Sequence, residues 1–320
     1  MKHDVIESVA LKFGGYQKPA SIHNQAAMRF GELLRERLGS RVAFELIGNV
    51  LDRGRQSGDL PVMVESGELS CCYISTVRFT RWVPELAVID LPFVVRDRPN
   101  VQRALSVAEG DKGTLGAYFK RRFDESSPFR LLGLWDNGFR HLTNKVRPIR
   151  TPADCRGLKM RTQMSASHGE ALAALGFVPI PADVKEFTEQ IGGERFDAQD
   201  NPLTNIYNFG VHQYHRYITL SGHFFGASAM ICNAAHYASW PADLRKAFDE
   251  CALVATAYQH QLAAKEDEAI RARLDPRENE LIELTPAERA AFVSAMEPIL
   301  NKYRGKLDTR LFDLLAGGRG

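Results

Sequence analysis

Long apolar runs are missing from this chain of 320 residues. No stretch approaches the roughly 18 apolar residues that span a bilayer, so a chain that itself crosses the membrane is not expected. Cysteine is scarce and odd in number: Cys71, Cys72, Cys155, Cys232 and Cys251, with no C-x-x-C. That argues against both a zinc cluster and a disulfide framework. Charge of one sign is missing as well. The net charge is +2, and no basic block of the kind nucleic acid needs is present. Catalytic signatures are absent in turn: there is no G-x-S-x-G, no G-x-x-x-x-G-K-[ST] and no G-x-G-x-x-G. The opening MKHDVIESVALKFGG lacks a charged segment followed by an apolar stretch of signal-peptide length. Either the protein is cytosolic, or an export signal is absent from this version of the chain.

The length allows a large core and about two domains. With 44% hydrophobic and 25% charged residues, the composition is that of a folded soluble protein. Strand and helix signals alternate from the start. Val9, Leu11 and Phe13 alternate up to Gly14-Gly15. A helix from about Ser21 carries Ile22, Ala26, Phe30, Leu33, Leu34 and Leu38 on one face and stops at Gly39. Val42, Phe44 and Leu46 alternate again. A helix near Asp59–Ser66 then leads to the strand LSCCYIS. ELAVIDLPFVV reads as extended and buried, and Asn100–Phe123 as helical. This order marks an α/β lobe.

A second block opens at RLLGLWDNGFRHLTN. It contains a capping box from Thr151 to Asp154, the helix SHGEALAALG, a helix capped by Asp183, and the strand-like RFDAQ. "VESGELSCCYIST" and "QIGGERFDAQDNP" echo each other as helix end, glycine, glutamate, strand and polar turn, which two lobes of similar build would produce; chance is the rival reading. The third block is helical. It starts at Ser239 as N-cap, with Pro241 in the first turn, and has no breaker until Asp275-Pro276. More than 30 residues give roughly 50 Å, enough to brace two lobes. A coiled coil is the rival, but no sustained heptad appears. Thr285 and Glu288 form a second capping box.

His212 and His215 are spaced as a metal pair, but no third ligand is evident, so no metal is expected. Cys71-Cys72 read as packing. Arginines at strand boundaries are more suggestive. Arg140 follows RLLGLW, Arg161 ends GLKMR, and Asn201 precedes Pro202, which restricts its backbone. Strand ends of an open α/β sheet gather at one edge, where ligands bind. The planar fork of arginine suits a carboxylate. The pattern therefore fits a small organic anion.

"GFRHLTN…RPIRTPADCRGLKMRTQ", "ALAALGFVPIPADVKEF" and "FDAQDNPLTNIYNFG" resemble the solute-binding proteins of TRAP transporters, the DctP-type family. The resemblance covers most of the chain. It implies a two-lobe periplasmic-binding-protein-like α/β fold with hinge strands and a long helix spanning both lobes. The expected division is 1–137 with 227–262 for lobe I and 138–226 with 263–320 for lobe II. It implies no catalysis and no cofactor. It implies capture of a small organic acid in the periplasm and delivery to a TRAP membrane permease. The family's carboxylate-binding arginine falls on Arg161, its second arginine on Arg140 and its pocket asparagine on Asn201. Tyr16, Gln17, Thr76, His223 and Trp135 are further pocket candidates. The family often places an aromatic near Asp183-Val184; here an aspartate and a valine stand there. That departure puts the aromatic contact in doubt, so the ligand need not be sialic acid or a C4-dicarboxylate; Asp183 is a pocket residue or an N-cap only. The family is exported, so a processed or truncated chain, or a misassigned start, is expected rather than a cytosolic protein. Two rival readings remain: an α/β enzyme on a carboxylic acid with His223 or Asp197 as base, and a cytosolic ligand sensor.

Overall fold

A computed structural model describes residues 8–317. The first strand, β1 (Val9–Gly14), leads into helix α1 (Ile22–Leu38), as the periodicity predicts. Ser21 caps α1 by accepting the Asn24 N–H at 3.2 Å, and Gly39 ends it at a positive φ of 56°. Ala26, Phe30 and Leu34 recur every fourth residue, so one face of α1 is buried. Next come β2 (Val42–Ile47), α2 (Leu60–Glu65) and β3 (Cys71–Ser75). Two expectations fail in the stretch that follows. ELAVIDLPFVV is not extended: Pro84–Val88 forms a 3-10 turn. The helix expected over Asn100–Phe123 is two helices, α3 (Arg98–Ala104) and α4 (Leu115–Ser126). A turn containing Gly110 and Gly113 separates them, and Thr114 caps the second.

The chain then forms β4 (Phe129–Asn144), a strand of 16 residues. Arg140 therefore lies inside a strand rather than after one. β5 (Lys159–Thr162), α5 (Ala166–Ala174), β6 (Val178–Pro181), α6 (Val184–Gln190), β7 (Ala198–Pro202) and α7 (Leu203–Asn208) follow. Asn201 is likewise within a strand, β7. A second long strand, β8 (Tyr217–Asn233), has 17 residues. The short helix α8 (Ala234–Ser239) takes the place of the expected Ser239 cap. The long helix α9 (Ala242–Arg273) begins after Pro241 and has 32 residues. The strand β9 (Glu280–Ile282) and helices α10 (Pro286–Arg304) and α11 (Thr309–Leu315) complete the fold. The Thr285–Glu288 and Thr151–Asp154 capping boxes both form.

The strands make one sheet in the order β2-β1-β3-β8-β4-β7-β5-β6, with β9 beside β8. The order is symmetric about its centre. β1 pairs in parallel with β2 and β3, as β5 does with β6 and β7. β3 pairs antiparallel with β8, as β7 does with β4. The echo between VESGELSCCYIST and QIGGERFDAQDNP therefore corresponds to two matching helix–strand units, α2–β3 and α6–β7. β4 and β8 pair from Phe129↔Asn233 to Asn144↔Tyr217 and so run through both halves, with register shifts at Leu131/Gly133, Asp136/Gly138 and Arg140/Leu142.

The apolar cores follow the same division. One gathers Phe13, Phe30, Tyr73, Phe119, Trp135 and Phe248. Two smaller ones lie around Met160 and Leu172 and around Phe187 and Phe196. α9 touches both sides: Phe248 and Ala252 sit in the first core and Ile270 in the third. At the crossing it clasps β4. Gln259 accepts the Asp136 N–H at 2.8 Å and donates to the Asp136 carbonyl at 2.6 Å. α11 packs Leu311, Leu314 and Leu315 into the first core.

Gly138 stands at the central bulge with φ +94°, a conformation that side-chain-bearing residues rarely adopt. A Cβ there would also come within 3.3 Å of Pro202 and Arg98. Gly138→Ala is expected to cost about 1–3 kcal/mol. In urea this reads as a lower unfolding midpoint at unchanged slope. A midpoint equal to the parent's would show that this crossing is not strained.

Candidate functional site

β3, β4, β5, β7 and β8 bring their central ends to one cleft between the halves. Among the nine expected ligand contacts, Tyr16, Arg140, Arg161 and Asn201 line a single cavity there. Ser57, Ser75, Arg78, Asn137, Gln163, Asn205 and Phe209 also line it, with Ile74, Val184 and Gly226. It is narrow: the room for the centre of a water-sized sphere is about 30 Å³.

Arg161 is the decisive side chain. Alternation along β5 sends Met160 into one of the second-half cores and turns Arg161 to the cleft. Its guanidinium is 3% exposed. Its Nε and Nη2 both donate to one neutral acceptor, the Ala182 carbonyl, at 3.0 and 2.8 Å. The Phe187 ring lies 5.3 Å from the guanidinium carbon. Among the described residues no carboxylate oxygen comes within 4.0 Å of it. Burial, reinforced by the charge of Arg140, pushes it down to about 10, still fully charged at neutral pH.

The other two cavity arginines are matched. Arg140 donates from Nε to Asp200 at 2.5 Å and from Nη2 to the Asp200 carbonyl. Burial alone would raise Asp200, but the Arg140 charge holds it well below the usual carboxylate range. His223 faces the same carboxylate at 3.4 Å, too long for a strong bond. Arg78 pairs with Asp183 at 2.6 Å. Asp183 caps α6 through the Lys185 N–H and also accepts from the Ser57 hydroxyl and the Ser57 and Gly58 N–H groups. It therefore fastens the two halves together. Burial opposes its charge, yet Arg78 and these donors hold its carboxyl below the ordinary value.

The remaining expected residues serve elsewhere. Gln17 lies beside the cavity and donates to Asn205 at 3.0 Å, a second bond between the halves. The loop that carries Tyr16 and Gln17 is fixed by Asn24, which donates to the Gln17, Lys18 and Gly48 carbonyls. Thr76 is turned away and donates to Ala227 at 3.2 Å; its neighbour Ser75 faces the cavity instead. Trp135 is a core residue, stacked on Phe13 at 6.3 Å and bonded to Thr256. His223 is fully buried outside the cavity, between Ser221 at 2.8 Å and Asp200. Burial lowers its pKa, which keeps it neutral. Asp197 accepts the Lys159 N–H at 2.9 Å outside the cavity wall, so neither proposed base faces the cleft. His215 bonds Thr143 and His212 stacks on Tyr207. No group of three metal-ligating side chains occurs among the described residues. All five cysteines are free and buried.

Ser57, Arg78 and Asn205 were not anticipated. Only Arg78 left a trace in the sequence, as an arginine three residues beyond a strand end.

The profile of bacterial extracellular solute-binding proteins, family 7, matches residues 13–306. The chain belongs to this family. A 2,3-diketo-L-gulonate-binding periplasmic protein of Escherichia coli is 26% identical over 295 residues, 90% of this chain and 84% of the relative. A C4-dicarboxylate-binding periplasmic protein of Rhodobacter capsulatus is also 26% identical, over 92% of this chain and 86% of the relative. Crystal structures of TRAP solute-binding proteins share the two-lobe fold. One from Shewanella oneidensis with bound succinate superposes at a TM-score of 0.89 with 24% identity, covering 97% of this chain and 99% of that one. One from Advenella mimigardefordensis with galactonate superposes at 0.89 with 20% identity, covering 97% of each. No helix of the described residues is long and apolar enough to cross a membrane.

The Asp183 fastening makes a pH prediction. Its folded carboxyl is depressed, so its contribution is full above the ordinary value near 3.9 and is lost as pH falls through the depressed one. Asp183→Asn should cost about 1.5–3 kcal/mol at pH 7, the range for hydrogen bonds to a charge. The gap between parent and variant should narrow as pH falls below the ordinary carboxylate value. A gap that stays unchanged throughout acidification would remove the charge from the account.

Proposed function

We propose that this family 7 protein is an extracytoplasmic receptor that captures a small organic acid and delivers it to a TRAP-type permease in the membrane. One observation carries this reading: a buried guanidinium, Arg161, faces the inter-lobe cavity with no carboxylate of its own. A buried charge without a partner is costly, and a ligand carboxylate supplies the missing one. The names of the relatives, which bind a keto acid and dicarboxylates, support the same class of ligand.

The ligand carboxylate docks on the free edge of Arg161. Asn201 orients it from β7, and Arg140, held rigid by Asp200, shapes the wall behind. The lobes then close. Their limits are taken as 1–137 with 227–262 and 138–226 with 263–320, with the last helix packing on the first lobe. Closure engages Arg78 and Ser57 with Asp183, and Gln17 with Asn205. It removes water from the ion pair and so strengthens it. It shifts an existing open–closed balance only by the ligand's preference for the closed form. The acid is returned unchanged, and the protein works in the periplasm.

The test is a thermal-shift screen of small acids, each beside its neutral amide. A ligand at about 100 times its Kd should stabilise the protein by roughly 2.7 kcal/mol, and the amide should not. Arg161→Ala should then weaken binding by about 2–5 kcal/mol, roughly 30-fold to several thousand-fold. Arg161→Lys should also weaken it, because the fork is lost. Variants that bind like the parent, or amides that bind like their acids, would overturn the reading.

A further inference from the structure

We infer that the cavity selects a hydroxylated monocarboxylate over the dicarboxylate of the same skeleton. The inference rests on Arg161 as the carboxylate anchor and goes beyond it to the charge and substituents of the rest of the ligand.

Charge balance carries the first half. Three arginines line the cavity: Arg78, Arg140 and Arg161. Among the described residues no acidic side chain lines it. Asp183 neutralises Arg78 at 2.6 Å, and Asp200 neutralises Arg140 at 2.5 Å. Three cations less two anions leave one positive charge, on Arg161. The buried histidines nearby add none. His168, stacked on Phe224, is pushed down to about 3, and His223 is lowered as well, both chiefly by burial. Asp90 lies behind Arg140, beside His168 at 3.8 Å, and burial pushes it up to about 7. Whatever charge it carries lowers the positive total further. At most one carboxylate is therefore balanced in the cavity. A second would be enclosed without a free cation, and an unpaired buried charge is strongly disfavoured.

The second half comes from Asn137. It is 4% exposed and lines the cavity beside Gly226. Its Oδ1 is buried with no hydrogen-bond partner among the described residues. A buried polar atom of this kind calls for a partner. A carboxamide accepts on one end and donates on the other, and a hydroxyl group does both. Ser57, Ser75, Gln163 and Asn205 give the same wall further neutral polar groups. This lining suits hydroxyls, not a second carboxylate.

The experiment takes the acid skeleton that gives the largest shift in the acid–amide screen. Calorimetry then compares the hydroxy monocarboxylate with its matched dicarboxylate and its deoxy analogue. Suitable sets are glycerate, tartronate and propionate, or erythronate, tartrate and butyrate. The monocarboxylate should bind at least about tenfold tighter than either comparator. In Asn137→Ala the advantage over the deoxy analogue should shrink. In Asp183→Asn, which frees Arg78, the ratio of dicarboxylate to monocarboxylate affinity should rise about tenfold. A purely structural loss lowers both affinities and leaves the ratio in place. A dicarboxylate that binds as tightly as the monocarboxylate, or a ratio unmoved in Asp183→Asn, overturns the inference. If binding of either acid still depends on Arg161, the anchor stands and only the selectivity fails. If neither acid depends on Arg161, the anchor itself is wrong.

Discussion

The pairing of β4 with β8 is the constraint on which everything else depends. These are the two strands long enough to run through both halves, and they pair almost from end to end. Each half adds three strands to one side of the pair in the same order, so each is built on a shared spine. The ladder is interrupted near its middle, at Asp136/Gly138 and Arg140/Leu142. A bulge leaves one residue unpaired and sharpens the local twist. Here it turns Asn137 and Arg140 toward the cleft. The clasp of Gln259 on both polar groups of Asp136 holds this point against α9, the helix that also touches both halves. The site lies at the crossing because there both halves can supply side chains to one small volume.

Much of this plan was legible in the sequence, and the reasons differ by element. Val9–Gly14, α1 and the Thr285 capping box announced themselves through period, cap and stop residue, which are local signals. Arg161 was legible because a permanent charge at the end of an apolar strand needs a reason. ELAVIDLPFVV misled because an apolar run without period marks burial and says little about backbone shape. The choice of Thr76 over Ser75 shows the period-two problem. In a strand, an offset of one residue changes the face, and the end of β3 sets the offset. Trp135, a weaker pocket candidate, sits in the first core; the register shift between Asp136 and Gly138 separates it from Asn137, which strand alternation alone would place on its own face. Arg78, Ser57 and Asp183 were illegible as a group. Asp183 lies more than 100 residues along the chain from both Ser57 and Arg78, and no local pattern encodes their meeting.

The three arginines illustrate how partners, rather than residue type, decide a role. From the sequence, Arg140 and Arg161 look equivalent, both basic and both at the cleft edge of a strand. In the fold, Arg140 is paired with a carboxylate and a carbonyl of the same residue, Asp200. That pairing makes it a rigid wall: two edges of its planar fork are held, and His223 and Ser221 pack behind the acid that holds them. Arg161 rests on a single carbonyl and an aromatic face. Those contacts orient its fork without cancelling its charge. A site that must hold an anion needs this separation of tasks. If every arginine were paired, nothing would attract the ligand; if none were, their mutual repulsion in a buried space would be severe.

Asp183 joins closure to selectivity. It lies at the start of α6 on the second half, and Arg78 follows β3 on the first. Their ion pair exists only where the halves meet. The same contact that fastens the closed form therefore removes Arg78 from the pool of free cations. In the proposed receptor, separation of the halves would expose both groups to water, and an approaching anion would meet free guanidinium groups in the cleft. Only on closing would the count fall to one. A ligand that needs two cations would have to compete with Asp183 for Arg78, and would loosen the fastening as it bound. Replacing the aromatic expected near this position by an aspartate thus changes more than one contact. Under the proposed reading it would exchange a wall against the ligand for the internal ion pair of Arg78 with Asp183, and the charge the cavity accepts would change with it.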